Sequence, residues 1–198
     1  MLLYNSAVSG NCYKVRLLLA HLGIPCERKE LSVNDKSNRP AVLGALNPAL
    51  RVPTIVLDDG RALAESNAIL WYFGEGTPYV PTDRYERAQV LQWQFFEQYE
   101  HEPNVAVARK WLSYSDGKYD AAALEVRQTN GYKALDAMEK HLAGREFLVG
   151  SRFSLADISL YAYTHVAGQG GFDLKRYPAV SAWLGRVAAQ PGHIKIDA

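Results

Sequence analysis

The sequence predicts an α/β domain of order βαβαββα with a mixed sheet over residues 1–77, followed by an all-α helical bundle over residues 82–198. Three observations carry that prediction. Short apolar runs alternate with helical periodicity through the first 77 residues. The stretch from Gly74 to Pro81 is rich in Gly and Pro and marks a linker. Beyond it the apolar residues recur at helical spacing, with no convincing strand.

The elements follow in order. Leu2-Leu3-Tyr4 is a short strand, and Asn11 can cap a helix whose Val15, Leu18, Leu19 and Leu22 form an i, i+3, i+4, i+7 stripe. Gly23 and Pro25 stop that helix, because glycine accepts the left-handed conformation past a last turn. Cys26 to Leu31 is a second strand, followed by a polar stretch and a short helix ending near Leu46. Thr54 to Leu57 and Arg61 to Leu63 form a hairpin around Asp58-Asp59-Gly60, and Ser66 to Phe73 closes the domain as a helix. The first βαβ requires a right-handed crossover and hence a parallel strand pair.

In the second part, Thr82 to about Leu112 is a long aromatic-rich helix with Pro103 as a kink. A second helix spans about Tyr119 to Leu142. Ser154-Leu155-Ala156-Asp157 is a capping box with Phe153 and Ile158 in hydrophobic-staple positions, and a fourth helix follows Pro178.

Composition narrows the function classes. With 22 basic and 21 acidic residues, the formal net charge of +1 gives no electrostatic case for nucleic acid. The two cysteines, Cys12 and Cys26, fit neither a CxxC redox pair nor metal-ligand spacing, so no metal is expected and a reducing compartment is favoured. No run approaches the roughly 18 apolar residues of a membrane span. The N-terminus lacks the charged and apolar regions of a signal peptide, so a cytoplasmic location is expected.

Three short signals in the first third can carry chemistry. Ser9-Gly10-Asn11 stands between the first strand and the first helix, where a hydroxyl and unsatisfied helix amides stabilise a thiolate. Asn11 can turn its amide NH2 to the same sulfur; equally, both residues can be plain helix caps. Cys12, in the first turn, can be a low-pKa thiolate or simple packing. Val52-Pro53 precedes a strand, and its bond can be the usual trans form or a cis form that opens the Val52 backbone to an extended peptide. Glu65-Ser66 opens a helix, where the pair can cap it or can hold an α-carboxylate and a nearby ammonium. Arg39 and Arg51 can serve a second carboxylate.

Those residues carry a resemblance. Leu3-Tyr4, Ser9-x-Asn11, Lys14-Val15-Arg16, Asn47-Pro48, Arg51-Val52-Pro53-Thr54 and Leu63-x-Glu65-Ser66-x-Ala68-Ile69 resemble the thioredoxin-like domain of cytosolic glutathione S-transferases. The helical half resembles the same family through Phe153 to Ile158 and Tyr177-Pro178-x-Val180-x-x-Trp183. The resemblance implies a thioredoxin-like glutathione-binding domain and a helical domain lining a second-substrate pocket.

By that resemblance Val52 and Pro53 form a cis-proline loop against the cysteinyl backbone of glutathione, and Glu65 and Ser66 bind its γ-glutamyl end. Arg39 and Arg51 lie near its glycyl end. Ser9 and Asn11 activate the thiol, Ser9 in the manner of theta-like enzymes and the Ser9-x-Asn11 pair in that of the nu-like bacterial group. Two patterns are absent: Gly10 stands where beta-class enzymes carry a cysteine, and there is no Ser-Ser-Cys motif.

The expected activity is transfer of glutathione to a hydrophobic electrophile, a detoxifying reaction, by a homodimer. Tyr99, Asn104, Val107 and Trp111 are candidates for the second-substrate pocket, and Glu100 and His101 for a contact with a partner subunit's glutathione. Two alternatives stand beside it: glutathione-dependent disulfide reduction, motivated by Asn11 and Gly10, and a non-catalytic regulatory or scaffold protein of the same fold.

Overall fold

The computed structural model describes residues 1–198, which form two compact units: Met1–Thr77 together with Pro191–Ala198, and Pro78–Gln190. The first unit runs β1 (Leu2–Asn5), α1 (Gly10–His21), β2 (Glu27–Glu30), α2 (Arg39–Leu43), β3 (Thr54–Val56), β4 (Ala62–Ala64) and α3 (Ser66–Gly74). Its sheet has the order β2-β1-β3-β4, with β1 parallel to β2, and β3 antiparallel to both β1 and β4.

Alternation along β1 sends Leu3 and Tyr4 to opposite faces. Leu3 joins Val15, Leu19, Ile55 and Ile69 in one apolar cluster, and Tyr4 joins Leu31 and Leu43 in another. β2 reads Glu-Arg-Lys-Glu and is exposed throughout. It is an edge strand, and its charges discourage pairing with a further chain. Gly60 takes a φ of +84° in the β3–β4 turn, a conformation that glycine reaches without steric cost.

Sequence reasoning grouped the last residues with the helical part; the structure corrects this. Residues Pro191–Ala198 belong to the first unit, held there by side chains of α1 and β2. The Tyr13 hydroxyl donates to the Ile194 carbonyl at 2.6 Å. Arg16 donates to Ile196 O at 2.7 Å and Ala198 O at 3.1 Å, and Arg28 to Ala198 O at 2.8 Å. A segment that anchors itself through carbonyl groups leaves no apolar period to detect.

The second unit comprises α4 (Arg84–Phe96), a π-helical segment (Glu97–His101), α5 (Glu102–Tyr114), α6 (Ala121–Leu142), α7 (Leu155–Thr164) and α8 (Pro178–Ala188). The long helix expected from Thr82 to Leu112 is therefore interrupted. Pro103 lies in the first turn of α5. It lacks an N–H and its ring crowds the carbonyl four residues back, so the chain widens by one residue before it. α4 begins at Arg84 because the Asp83 carboxylate caps it, accepting from Tyr85 N at 3.0 Å and Glu86 N at 2.9 Å. Asp120 does the same for α6. Leu135, Met138, Val180, Trp183 and Val187 are buried where α6 and α8 meet. No helix is long and apolar enough to cross a membrane.

Candidate active site

The N-terminus of α1 is the first component. Ser9 is its N-cap, in extended conformation, and its Oγ accepts from Cys12 N at 3.3 Å, long for such a bond. The cap uses the hydroxyl oxygen as acceptor and leaves the hydroxyl proton to be donated elsewhere. The loop leading into Ser9 is held from two sides. Glu30 accepts from the Asn5 amide and, at 2.9 Å, from Ala7 N, while Arg16 donates to Ala7 O at 3.0 Å. No acidic residue occupies the first turn of α1, so its positive end is left uncompensated.

The second component comes from α3. Ser66 is buried, and its Oγ donates to Asn11 Oδ1 at 3.3 Å. Lys14 lies wholly inside the protein and its Nζ donates to Asn11 Oδ1 at 2.8 Å and to Ser66 Oγ at 3.4 Å. Two residues that the sequence separates by 55 positions are thus adjacent, joined by an ammonium. Glu65, exposed at the start of α3, has φ 67° and ψ 115° and makes no side-chain cap. For a residue with a Cβ that conformation costs on the order of 1–3 kcal/mol.

The third component is the loop before β3. The Val52–Pro53 peptide bond is cis. Asn47 Nδ2 donates to Arg51 O at 3.1 Å and Thr54 Oγ1 donates to the same carbonyl at 2.8 Å. Arg39 is buried, its Nη1 on Leu50 O at 2.9 Å and its Nη2 on Ser32 O at 2.8 Å. Burial pulls its guanidinium below the ordinary arginine range. Arg39 therefore clamps the loop's backbone, while Arg51 at the loop's surface is exposed.

Other sequence candidates are placed differently. Asn104, Val107 and Trp111 share a stripe of α5, with Asn104 buried and its Nδ2 donating to Glu100 O at 2.6 Å. Tyr99 lies in the π-helical segment before α5 and is 84% exposed. His101 is fully buried, 3.0 Å from Thr164 Oγ1. The Thr164 proton is given to Leu160 O, so the histidine donates here. That leaves Glu100, exposed, as the one of the pair open to a partner. Cys12 is buried, and desolvation pushes its thiol up to about 11. It is a packing residue and stays protonated at neutral pH.

Sequence reasoning missed Lys14, Arg16 and Glu30 as parts of this assembly. The available signal was two cations, Lys14 and Arg16, flanking Val15 at the start of an apolar run, in a helix whose residues Cys12 to Leu19 the fold buries throughout. Buried charges of that kind are held by specific partners.

Residues 8–75 match the model of the glutathione S-transferase N-terminal domain, and residues 88–191 that of the C-terminal domain. A crystal structure of a glutathione S-transferase from Pseudomonas fluorescens Pf-5 superposes with a TM-score of 0.95 at 45% identity, covering 98% of each chain. Another, from Xanthobacter autotrophicus Py2, gives 0.94 at 47% identity over 98% of this chain and 96% of that one. The glutathione S-transferase-like protein LUC7 of a Fusarium species is 31% identical over 193 residues, 91% of this chain and 85% of that one. Fold and family models together define a two-part enzyme with a thioredoxin-like first domain and a helical second one. The chain belongs to the glutathione S-transferase family.

Proposed function

We propose that the protein holds glutathione on its first unit and presents the sulfur, as a thiolate, to Ser9 and Asn11 for attack on a hydrophobic electrophile. The observation that supports this reading is the meeting of Asn11 and Ser66 at 3.3 Å, since the first is the residue proposed to activate the thiol and the second opens the helix proposed to take the carboxylate. Ser66 and the α3 amides would take the γ-glutamyl carboxylate, and Glu65 its ammonium. Val52 and Pro53 would pair with the cysteinyl backbone by strand addition. Arg51 would meet the glycyl carboxylate, with Arg39 acting through the loop it clamps.

The thiol gives its proton to solvent. The sulfur then forms a bond to carbon as the leaving group departs with its electron pair; for an aryl halide, halide is released. Asn104, Val107 and Trp111 are the candidates for the face that meets the electrophile. A homodimer in the cytoplasm, clearing reactive electrophiles, is the setting this chemistry suits.

Calorimetric titration with reduced glutathione and with glutathione disulfide tests the ligand, and turnover of an aryl halide against a small disulfide tests the reaction. Tighter binding of the reduced form and preferred turnover of the halide are expected. Preference for the disulfide in both would replace transfer with disulfide reduction, and no binding of either would leave a non-catalytic member of the fold.

A further inference from the structure

Lys14 lies one turn after Asn11 on α1, wholly buried, with Nζ 2.8 Å from Asn11 Oδ1 and 3.4 Å from Ser66 Oγ. Ser66 Oγ donates to the same Asn11 oxygen at 3.3 Å. An ammonium offers only donors, so a carboxamide can meet it only with its oxygen. Both neighbours donate to Oδ1 here; when Ser66 turns its single proton to the ligand's carboxylate, the 2.8 Å bond from Lys14 alone still holds Oδ1 inward and the amide's N–H groups on the other side. The reverse orientation would set N–H groups against an ammonium and offer the sulfur an acceptor, which disfavours a thiolate.

We propose that Lys14 is a positioning residue for thiolate formation: it fixes the Asn11 amide with its oxygen inward and its N–H groups toward the sulfur, and ties that orientation to Ser66. This rests on the reading above, in which Asn11 donates to the sulfur of bound glutathione. Through one ammonium, occupancy of the γ-glutamyl end at Ser66 is linked to readiness at the thiol end. A lysine that merely filled space would influence neither.

The test is the titration of enzyme-bound glutathione, followed by thiolate absorbance against pH, in a double-mutant cycle of Lys14→Met and Asn11→Ala. Lys14→Met alone should raise the apparent thiol pKa by about one unit and lower kcat/KM near neutrality about tenfold, with kcat falling more than KM rises. In the Asn11→Ala background the same substitution should change the titration less than about twofold, since the group it acts through is gone.

Equal effects of Lys14→Met in both backgrounds, or no effect in the parent, would overturn the proposal. If Asn11→Ala itself left the titration unchanged, the thiolate role of Asn11 would fall first. If Asn11→Ala shifted it and Lys14→Met did not, only Lys14 would lose its role. Should Lys14→Met fail to fold, Lys14→Gln serves: glutamine offers an acceptor as well as donors, permits both amide orientations and should give the same direction of shift.

Discussion

Two helices in this molecule have a serine as N-cap, and their first turns differ in how much hydrogen-bonding capacity they leave over. At α7, Ser154 and Asp157 are fully buried and the carboxylate accepts four bonds: from Leu148 N at 3.0 Å, Ser154 N at 2.9 Å, Ser154 Oγ at 2.9 Å and Trp183 Nε1 at 2.9 Å. At α1, Ser9 is half-buried, caps through one 3.3 Å bond and has no acid in the first turn behind it. A closed start consumes its donors in holding the fold. An open start keeps a proton, helix amides and a positive end for an anionic ligand. The same residue type at the same kind of position thus serves stability in one unit and, on the proposed reading, chemistry in the other.

The largest effect should fall on the closed start. Asp157→Ala leaves buried donors at Leu148, Ser154 and Trp183 without their acceptor, and should cost about 3–4 kcal/mol of unfolding free energy in urea titrations. Glutathione turnover per folded molecule should stay near the parent value. Ser9→Ala should show the opposite pattern. Loss of one preorganised donor to the thiolate should lower turnover of an aryl halide about a hundredfold, roughly 3 kcal/mol in the barrier. Stability should fall by no more than about 1 kcal/mol, the ordinary value of a cap. A large stability loss with intact turnover for Ser9→Ala would erase the contrast.

The closed start also carries a pH signature. Burial raises the Asp157 carboxyl from 3.8 to about 6, against the pull of its four donors. Between those values the folded state binds a proton that the unfolded state has released. The Asp157-dependent part of stability therefore declines as pH rises from about 4 to about 6, and is flat on either side. Its size is on the order of 2–3 kcal/mol. The difference between parent and Asp157→Asn melts across that window isolates it; a difference that grew with pH would mean that the donors, not burial, set the carboxyl.

How much of this was legible depended on whether a residue's role was local. Ser154 and Asp157 are three positions apart and satisfy each other, so the box was readable as a word in the sequence. The Asp58-Asp59-Gly60 hairpin and the Val15-Leu18-Leu19 stripe were readable for the same reason, though the cap of that helix is Ser9 rather than Asn11 and Leu22 lies just past its last turn. The edge strand β2 offered position but no apolar alternation, because its side chains are all exposed. The π-helical segment depends on how the chain relaxes around Pro103, which periodicity does not encode. Lys14 needed a partner from α3, and residues 191–198 needed donors from Tyr13, Arg16 and Arg28 for their carbonyls; neither relation has a spacing to recognise. Ser9, Asn11 and Ser66 were nameable singly, while the adjacency of Asn11 and Ser66 required the fold.

A third helix start sharpens the comparison with the smallest effect. α3 opens on Glu65 with a φ of 67° and no side-chain cap, an arrangement that serves neither helix nor backbone. Elsewhere Gly in place of Ala destabilises by about 0.5–1 kcal/mol. At this position glycine escapes the strain that alanine keeps, so Glu65→Gly should be at least as stable as Glu65→Ala in urea unfolding, reversing the usual order. Both variants should weaken glutathione binding alike, by about tenfold or roughly 1.4 kcal/mol, because each removes the carboxylate proposed to meet the ligand's ammonium. Glycine falling below alanine by its customary margin would show that the backbone at Glu65 is relaxed, leaving the α3 start distinguished from α7 by its side chain alone.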